Sequence, residues 1–326
     1  MPITSVTKDP QALTMTVVAE FPVPVERLWE AYTDPRQIEK FWGPESWPAT
    51  FYRHDFYPGG RSHYAMRGPD GEASSGFWEF LAIDPGKSFE VRDGFANADG
   101  EENPEMPAMR MVFSFESTAT GSRMTDTTFF PSLEALEQMV AMGMEEGMRS
   151  AMSQIDGVVA DLASFAASRR AEAQILSDTQ VRVSRVVRGT VDQVWQAYHD
   201  PKLVKRWMLG PDGWTMPVCE LPAKVGDTYR LFWEPEGEGD GFGFDGELLE
   251  VTPPRREVTT EHMTDTDYPS TTNEMTLTPV ADGTLVSVVI TYPNAEVRDM
   301  VLGTGMTDGM ETSYARLEAQ LSGASA

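Results

Sequence analysis

Cysteine, histidine and positive charge are all scarce in this chain of 326 residues. There is one cysteine, Cys219, so no intramolecular disulfide can form, and a lone cysteine behaves as a small hydrophobe. The four histidines are His54, His63, His199 and His262. None falls at a metal-ligand spacing such as His-x-x-x-His, so the sequence implies no metal and no cofactor. Lysine and arginine total 26 against 51 acidic residues, a net charge of -25. A nucleic-acid binder needs a basic footprint that this chain lacks, and an anionic membrane surface would repel it. No apolar run is long enough to span a bilayer. The opening Met1-Pro-Ile-Thr-Ser has no basic segment followed by an apolar stretch, so no signal peptide is expected. These absences imply a cytoplasmic chain whose acidity serves solubility.

Several catalytic signatures are missing as well. No Gly-x-Ser-x-Gly elbow or phosphate-binding loop occurs. Gly303-Thr-Gly-Met-Thr-Asp-Gly309 resembles a dinucleotide loop, but its third glycine is misplaced and no strand–turn–helix unit surrounds it. The acidic stretch 236–246 lacks the ligand spacing of a calcium loop. His63, on a segment with Arg61 and Tyr64, is the only candidate for proton transfer, and no acid–base constellation accompanies it.

What the chain does contain is a duplication. Trp29-Glu-Ala-Tyr-Thr-Asp-Pro35 returns as Trp195-Gln-Ala-Tyr-His-Asp-Pro201. Gly43-Pro-Glu-Ser-Trp47 returns as Gly210-Pro-Asp-Gly-Trp214, and Gly143-Met-Glu-Glu-Gly-Met148 as Gly305-Met-Thr-Asp-Gly-Met310. The echoes keep their order, and the period far exceeds the 20 to 50 residues (about) of a solenoid repeat. A whole domain is duplicated: residues 1–166, a linker over 167–178, and residues 179–326. A duplicated chain of this kind is compatible with a monomer.

Each copy reads the same way. A β-branched strand (15–21, 181–187) precedes a short helix with Leu28, Trp29 and Tyr32 on one face, or Val194, Trp195 and Tyr198. Asp34-Pro35 and Asp200-Pro201 end that helix and cap the next, with Pro at the first position, where a missing N–H costs nothing. Turn signals such as Pro58-Gly-Gly60, Asp84-Pro-Gly86 and Ala281-Asp-Gly283 then separate six strands per copy. In the first copy these lie near 49–57, 61–67, 74–84, 87–95, 108–117 and 122–130. A long helix closes each copy, with Val140, Met144, Met148, Met152, Ile155, Val159 and Leu162 in one stripe. Leu302, Met306, Met310, Tyr314, Leu317 and Leu321 form the other. Residues 166–177 are read as extending the first long helix. The fold class is α+β: two tandem domains, each a bent antiparallel seven-stranded sheet gripping a long C-terminal helix.

This order of elements, with the Trp/Asp-Pro and Gly-Met patterns, resembles the START/Bet v 1-like (SRPBCC) superfamily, closest to its AHSA1/CalC-like group. The tandem arrangement is similar to that of proteins from enediyne pathways of the dynemicin type. The resemblance implies a cavity between helix and sheet that takes a hydrophobic small molecule, of polyketide or polyene type. It implies a carrier or a cyclase-like role; self-resistance to a reactive enediyne and an AHSA1-type co-chaperone role are the alternatives. Candidate ligand-binding residues are Trp42, Tyr64, Trp78, Met144, Gly147, Met148 and Met152 in the first copy. In the second they are Trp207, Tyr229, Trp233, Met306, Gly309, Met310 and Tyr314. Methionine suits an adaptable lining, and paired glycines remove bulk from one helix face, though both are also ordinary packing devices. Periodicity leaves open which strand face, that of Tyr64 or that of His63, points inward.

Overall fold

A computed structural model describes residues 3–161, 169–210 and 212–323. Leu162 of the helix stripe, Pro211 of the second Gly-Pro echo, and 166–168 of the expected helix extension lie outside the described residues. The chain divides into two compact units, Met1–Leu162 and Ala163–Ala326.

The first unit runs β1 (Ile3–Asp9), β2 (Thr14–Phe21), α1 (Val25–Thr33), α2 (Pro35–Ile38), β3 (Ala49–His54), β4 (Arg61–Arg67), β5 (Ala73–Asp84), β6 (Ser88–Ala96), β7 (Met109–Thr118), β8 (Gly121–Phe129), α3 (Leu133–Ala141) and α4 (Met144–Ala160). The second repeats it: β9 (Glu172–Ile175), β10 (Gln180–Val187), α5 (Val191–His199), α6 (Pro201–Trp207), β11 (Trp214–Glu220), β12 (Thr228–Pro235), β13 (Phe242–Thr252), β14 (Arg256–Met263), β15 (Thr271–Val280), β16 (Gly283–Thr291), α7 (Ala295–Leu302) and α8 (Met306–Leu321). Each sheet is antiparallel, in the order β1-β2-β8-β7-β6-β5-β4-β3 and, equivalently, β9-β10-β16-β15-β14-β13-β12-β11. This is the tandem helix-grip plan.

Local chemistry explains the elements. Asp34 accepts a 2.9 Å hydrogen bond from the Arg36 amide and Asp200 a 2.8 Å bond from that of Lys202, so both Asp-Pro steps are N-caps. Along β7, Met109, Met111, Phe113 and Phe115 alternate inward. Met111, Phe113 and Phe115 meet Trp29, Tyr32 and the helix residues Met152, Ile155 and Val159 in one core, while Met109 packs with Met15, Phe130, Leu136 and Met139. The Trp29 ring lies 5.3 Å, edge-on, from that of Phe115.

Two expectations are corrected. The sheets have eight strands each rather than seven, because β1 and β9 add an edge strand to β2 and β10. Most of β1 is exposed, so it carries no period-two apolar signal. The strand β9 lies where the sequence reads as helix extension and linker, and it belongs to the second sheet, with Ile175 opposite Val181.

The second correction concerns the C-terminal helices, which are broken in two. Gly143 sits between α3 and α4 at φ +89°, and Gly305 between α7 and α8 at φ +81°. That left-handed conformation suits glycine and penalises any residue with a Cβ. The repeated first glycine is therefore a hinge in the backbone, not a gap in a continuous helix face. Gly309, by contrast, lies inside α8 with no atom within 4 Å of where a Cβ would stand. Gly143→Ala and Gly305→Ala are each expected to lower stability in urea denaturation by about 1–2 kcal/mol. Gly309→Ala should raise it by up to about 1 kcal/mol.

Candidate functional site

The grip leaves a cavity of about 410 Å³ in the first unit, between the broken helix and the concave face of the sheet. Met139, Met144, Met148 and Met152 line it from the helices, and Phe41, Trp42 and Pro44 close one side. Its floor is Tyr64 and Met66 of β4, Gly76 of β5, Asp93 of β6, Met111 and Phe113 of β7, and Asp126 of β8. Met142 lines the cavity and is 55% exposed, which puts one lip of the opening at the helix break. No lysine, arginine or histidine is among the lining residues.

Local sequence builds this floor. Tyr64 stands opposite Gly76 across β4 and β5, and a Cβ on Gly76 would come within 2.5 Å of the tyrosine ring. The glycine lets the ring lie flat across its neighbour, stacked 5.0 Å from Phe51. Trp42 meets the Trp78 ring edge-on at 4.5 Å. Trp78 itself is fully buried and does not line the cavity; its indole Nε1–H donates to Asp93 Oδ1 at 2.9 Å. The Tyr64 hydroxyl reaches the same oxygen at 3.5 Å.

The sequence-predicted residues thus separate. Trp42, Tyr64, Met144, Gly147, Met148 and Met152 come together around one space. Trp78 stands behind it as a positioning group. His63 lies on the opposite face of β4, where a Cβ on Gly100 would come within 2.8 Å of its ring. Burial lowers its pKa and leaves Nε2 without a hydrogen-bond partner. The sheet stands between His63 and the cavity, so geometry does not support it as a proton-transfer group there.

Sequence reasoning missed the two carboxyls. Asp93 and Asp126 occupy inward positions in strands that otherwise alternate apolar or small residues inward: Phe89 and Val91 before Asp93, and Met124 and Thr128 around Asp126. An acid in the inward phase of a strand is the signal, and it is readable only once the phase is known. Asp126 is fully buried and neither carboxylate oxygen has a hydrogen-bond partner. Burial drives its pKa well above the ordinary carboxylate range, and the charge of Asp93 adds to this. Burial also raises Asp93, to about 6, against the opposing hydrogen bonds from Trp78 and Tyr64.

The second unit has diverged at the same places. Equivalent strand registers put Glu261 where Asp93 stands: Glu261 faces Thr271 at the start of β15, as Asp93 faces Met109 at the start of β7. Glu261 is hydrogen-bonded to Asn273, and burial raises its pKa. Counting from the matching hairpin glycines, Gly121 and Gly283, Val288 replaces Asp126. Along the helices, Met306 and Met310 keep the methionines, but Tyr314 takes the place of Met152. The Tyr314 ring stacks 6.1 Å from the buried Trp207, and its hydroxyl is 3.2 Å from that of Tyr198. Tyr229 hydrogen-bonds to the Thr260 carbonyl and Trp233 to that of Met208. Gly309 offers open space on α8. Cys219 is partly buried on β11, which raises its thiol pKa. Among the described residues no cluster of three or more His, Cys, Asp or Glu could hold a metal ion, and no helix is long and apolar enough to cross a membrane.

The raised carboxyl has a consequence for stability. The folded-state pKa of Asp93 lies above the unfolded value of 3.8, so the native state holds its proton more tightly. Its favourable contribution is complete below the unfolded value and is lost as pH rises through about 6. Across this window Asp93→Asn should gain up to about 3 kcal/mol relative to the parent. Hydrogen exchange of β6 to β8, measured between the two limits, checks this; a difference independent of pH would contradict it.

A Mycobacterium smegmatis protein of known crystal structure is 47% identical over 48% of this chain and 96% of its own, with a TM-score of 0.46. A protein from Arthrobacter aurescens, solved in solution, is 43% identical over 49% of this chain and 93% of its own, with a TM-score of 0.47. A protein of the dynemicin biosynthetic locus is 14% identical over 96% of this chain and 100% of its own, with a TM-score of 0.34. No curated protein matches the chain. Residues 22–160 and 188–322 each match the family described as Activator of Hsp90 ATPase homolog 1-like protein. The chain therefore belongs to that family, whose domain it carries in two tandem copies.

Proposed function

We propose that the first domain binds a small, largely apolar molecule of polyketide or polyene type, as a carrier or as a chamber that orients it for cyclisation. The observation that carries this reading is the cavity itself. Its volume of about 410 Å³ lies within the roughly 300–1,000 Å³ range of small-molecule sites. Eight methionines and the rings of Phe41, Trp42, Tyr64 and Phe113 face the space. Methionine side chains have three rotatable bonds and a polarizable sulfur, so they adapt to irregular shapes, while the rings supply rigid area. Holding a flexible unsaturated chain in one conformation speeds ring closure by orientation alone. An enediyne is a special case of this ligand class, and a likeness of 14% identity speaks only to fold.

The second domain takes a lesser part. Tyr314 puts a ring where the first domain has Met152, Trp207 puts a larger ring where it has Phe41, and Val288 replaces Asp126. We take the first-domain cavity as the binding site of the chain.

A neutral fluorescent naphthalene, 6-propionyl-2-(dimethylamino)naphthalene, is a suitable probe. It should bind saturably with a stoichiometry of one. Gly147→Phe, which directs a ring toward the cavity near Pro44, should weaken binding by about tenfold or more, equivalent to about 1.4 kcal/mol. The matching Gly309→Phe in the second domain should leave binding unchanged. Absence of saturable binding, or equal loss from both substitutions, would overturn the reading.

A further inference from the structure

We infer that the ligand of the first-domain cavity carries a protonated amine, seated between the carboxylates of Asp126 and Asp93. This rests on the binding role proposed above and narrows it to a chemical class: an apolar, ring-bearing or unsaturated molecule with a basic nitrogen.

Four observations converge on it. The first is the state of Asp126. It is fully buried, it lines the cavity, and neither oxygen accepts a hydrogen bond from the protein. A buried carboxyl left without partners costs free energy. The second is the preparation of Asp93. The Trp78 indole donates to Oδ1 at 2.9 Å and the Tyr64 hydroxyl approaches the same atom at 3.5 Å. Those donors hold the group as an acceptor. The third is the absence of any lysine, arginine or histidine among the lining residues. Nothing in the wall balances two acids, so a ligand carboxylate or phosphate is repelled and a cation is drawn in. The fourth is the aromatic surround: Tyr32, Trp42 and Tyr64 line the same space, and their ring faces favour a cation within reach.

Burial holds both carboxyls above the ordinary range, and the charge of Asp93 raises Asp126 further. A bound ammonium relieves both effects, because an opposite charge a few ångströms away favours the ionised form. The strongly acidic chain, at -25, favours the approach of a cation over long range. The second domain supplies the contrast, since Val288 stands in place of Asp126 and Glu261 already has Asn273 as a partner.

Three naphthalenes of one shape test the inference: 2-(1-naphthyl)ethylamine, 2-(1-naphthyl)ethanol and 1-naphthylacetate, each titrated into the full chain by calorimetry at neutral pH. The amine should bind at least about tenfold more tightly than the alcohol, and the acetate weakest of all. Asp126→Asn keeps the size and hydrogen-bonding capacity of the side chain but removes its charge. It should erase the preference for the amine over the alcohol, and the far-ultraviolet circular dichroism and melting temperature of the variant report that it is folded. Asp93→Asn should reduce the preference in the same direction. Equal binding of amine and alcohol, or equal weakening of both by Asp126→Asn, would overturn the amine inference and leave the cavity reading intact. If neither the alcohol nor the neutral propionyl probe binds, the cavity reading fails and the inference falls with it.

Discussion

The C-terminal helix must bury an apolar stripe, and the concave face of a strongly bent sheet is the surface available to it. Much else follows from that constraint. The inward phase of every strand is set by where the helix lies. The two short helices bring Tyr32, Phe41 and Trp42 to the same space. A straight helix with close-packed side chains would fill the concavity. Here a left-handed glycine turns the helix at its start, and flexible methionines face the sheet, so the grip encloses a space instead of a solid core.

Within that space the structure breaks a rule it obeys elsewhere. Its inward strand positions are apolar, small or hydrogen-bonded, whereas Asp126 is acidic, fully buried and unpartnered, with Asp93 near enough to raise its pKa. Local violations of this kind concentrate at functional sites, where stability is surrendered for chemistry. The indole behind Asp93 and the glycine beneath Tyr64 belong to the same arrangement. Each fixes a group that faces the cavity, and neither is needed to close the sheet.

Duplication kept the scaffold and released the site. Both copies retain the Asp-Pro caps, the left-handed glycines and the strand order. They differ at Met152 and Tyr314, at Asp126 and Val288, and at Trp29, which sits in the first core, whereas Trp195 is only partly buried and stacks on His199 with ring centroids 4.0 Å apart. The shared features are those the fold needs, and two of the divergent positions, Met152 and Asp126, line the first-domain cavity. Two identical cavities would be preserved by the same selection on both, and the side chains show that the copies are not equivalent.

The sequence by itself determined the duplication, the helix-grip plan, and most strand and helix limits, because turn residues, caps and periodicity are local and repeat in both copies. It also brought Trp42, Tyr64 and the methionines into one set, since a stripe at helical spacing must face something. It did not reveal β1 and β9, whose stability comes from pairing with a neighbouring strand rather than from an apolar pattern of their own. It read Gly143 and Gly305 as small residues in a helix, because a positive φ leaves no mark on composition. Nor did it distinguish the face of Tyr64 from that of His63. Only the tertiary structure decided that Asp93 and Asp126 point inward and share a cavity with no cation in its wall, because strand phase and burial arise from contacts between segments far apart in the chain.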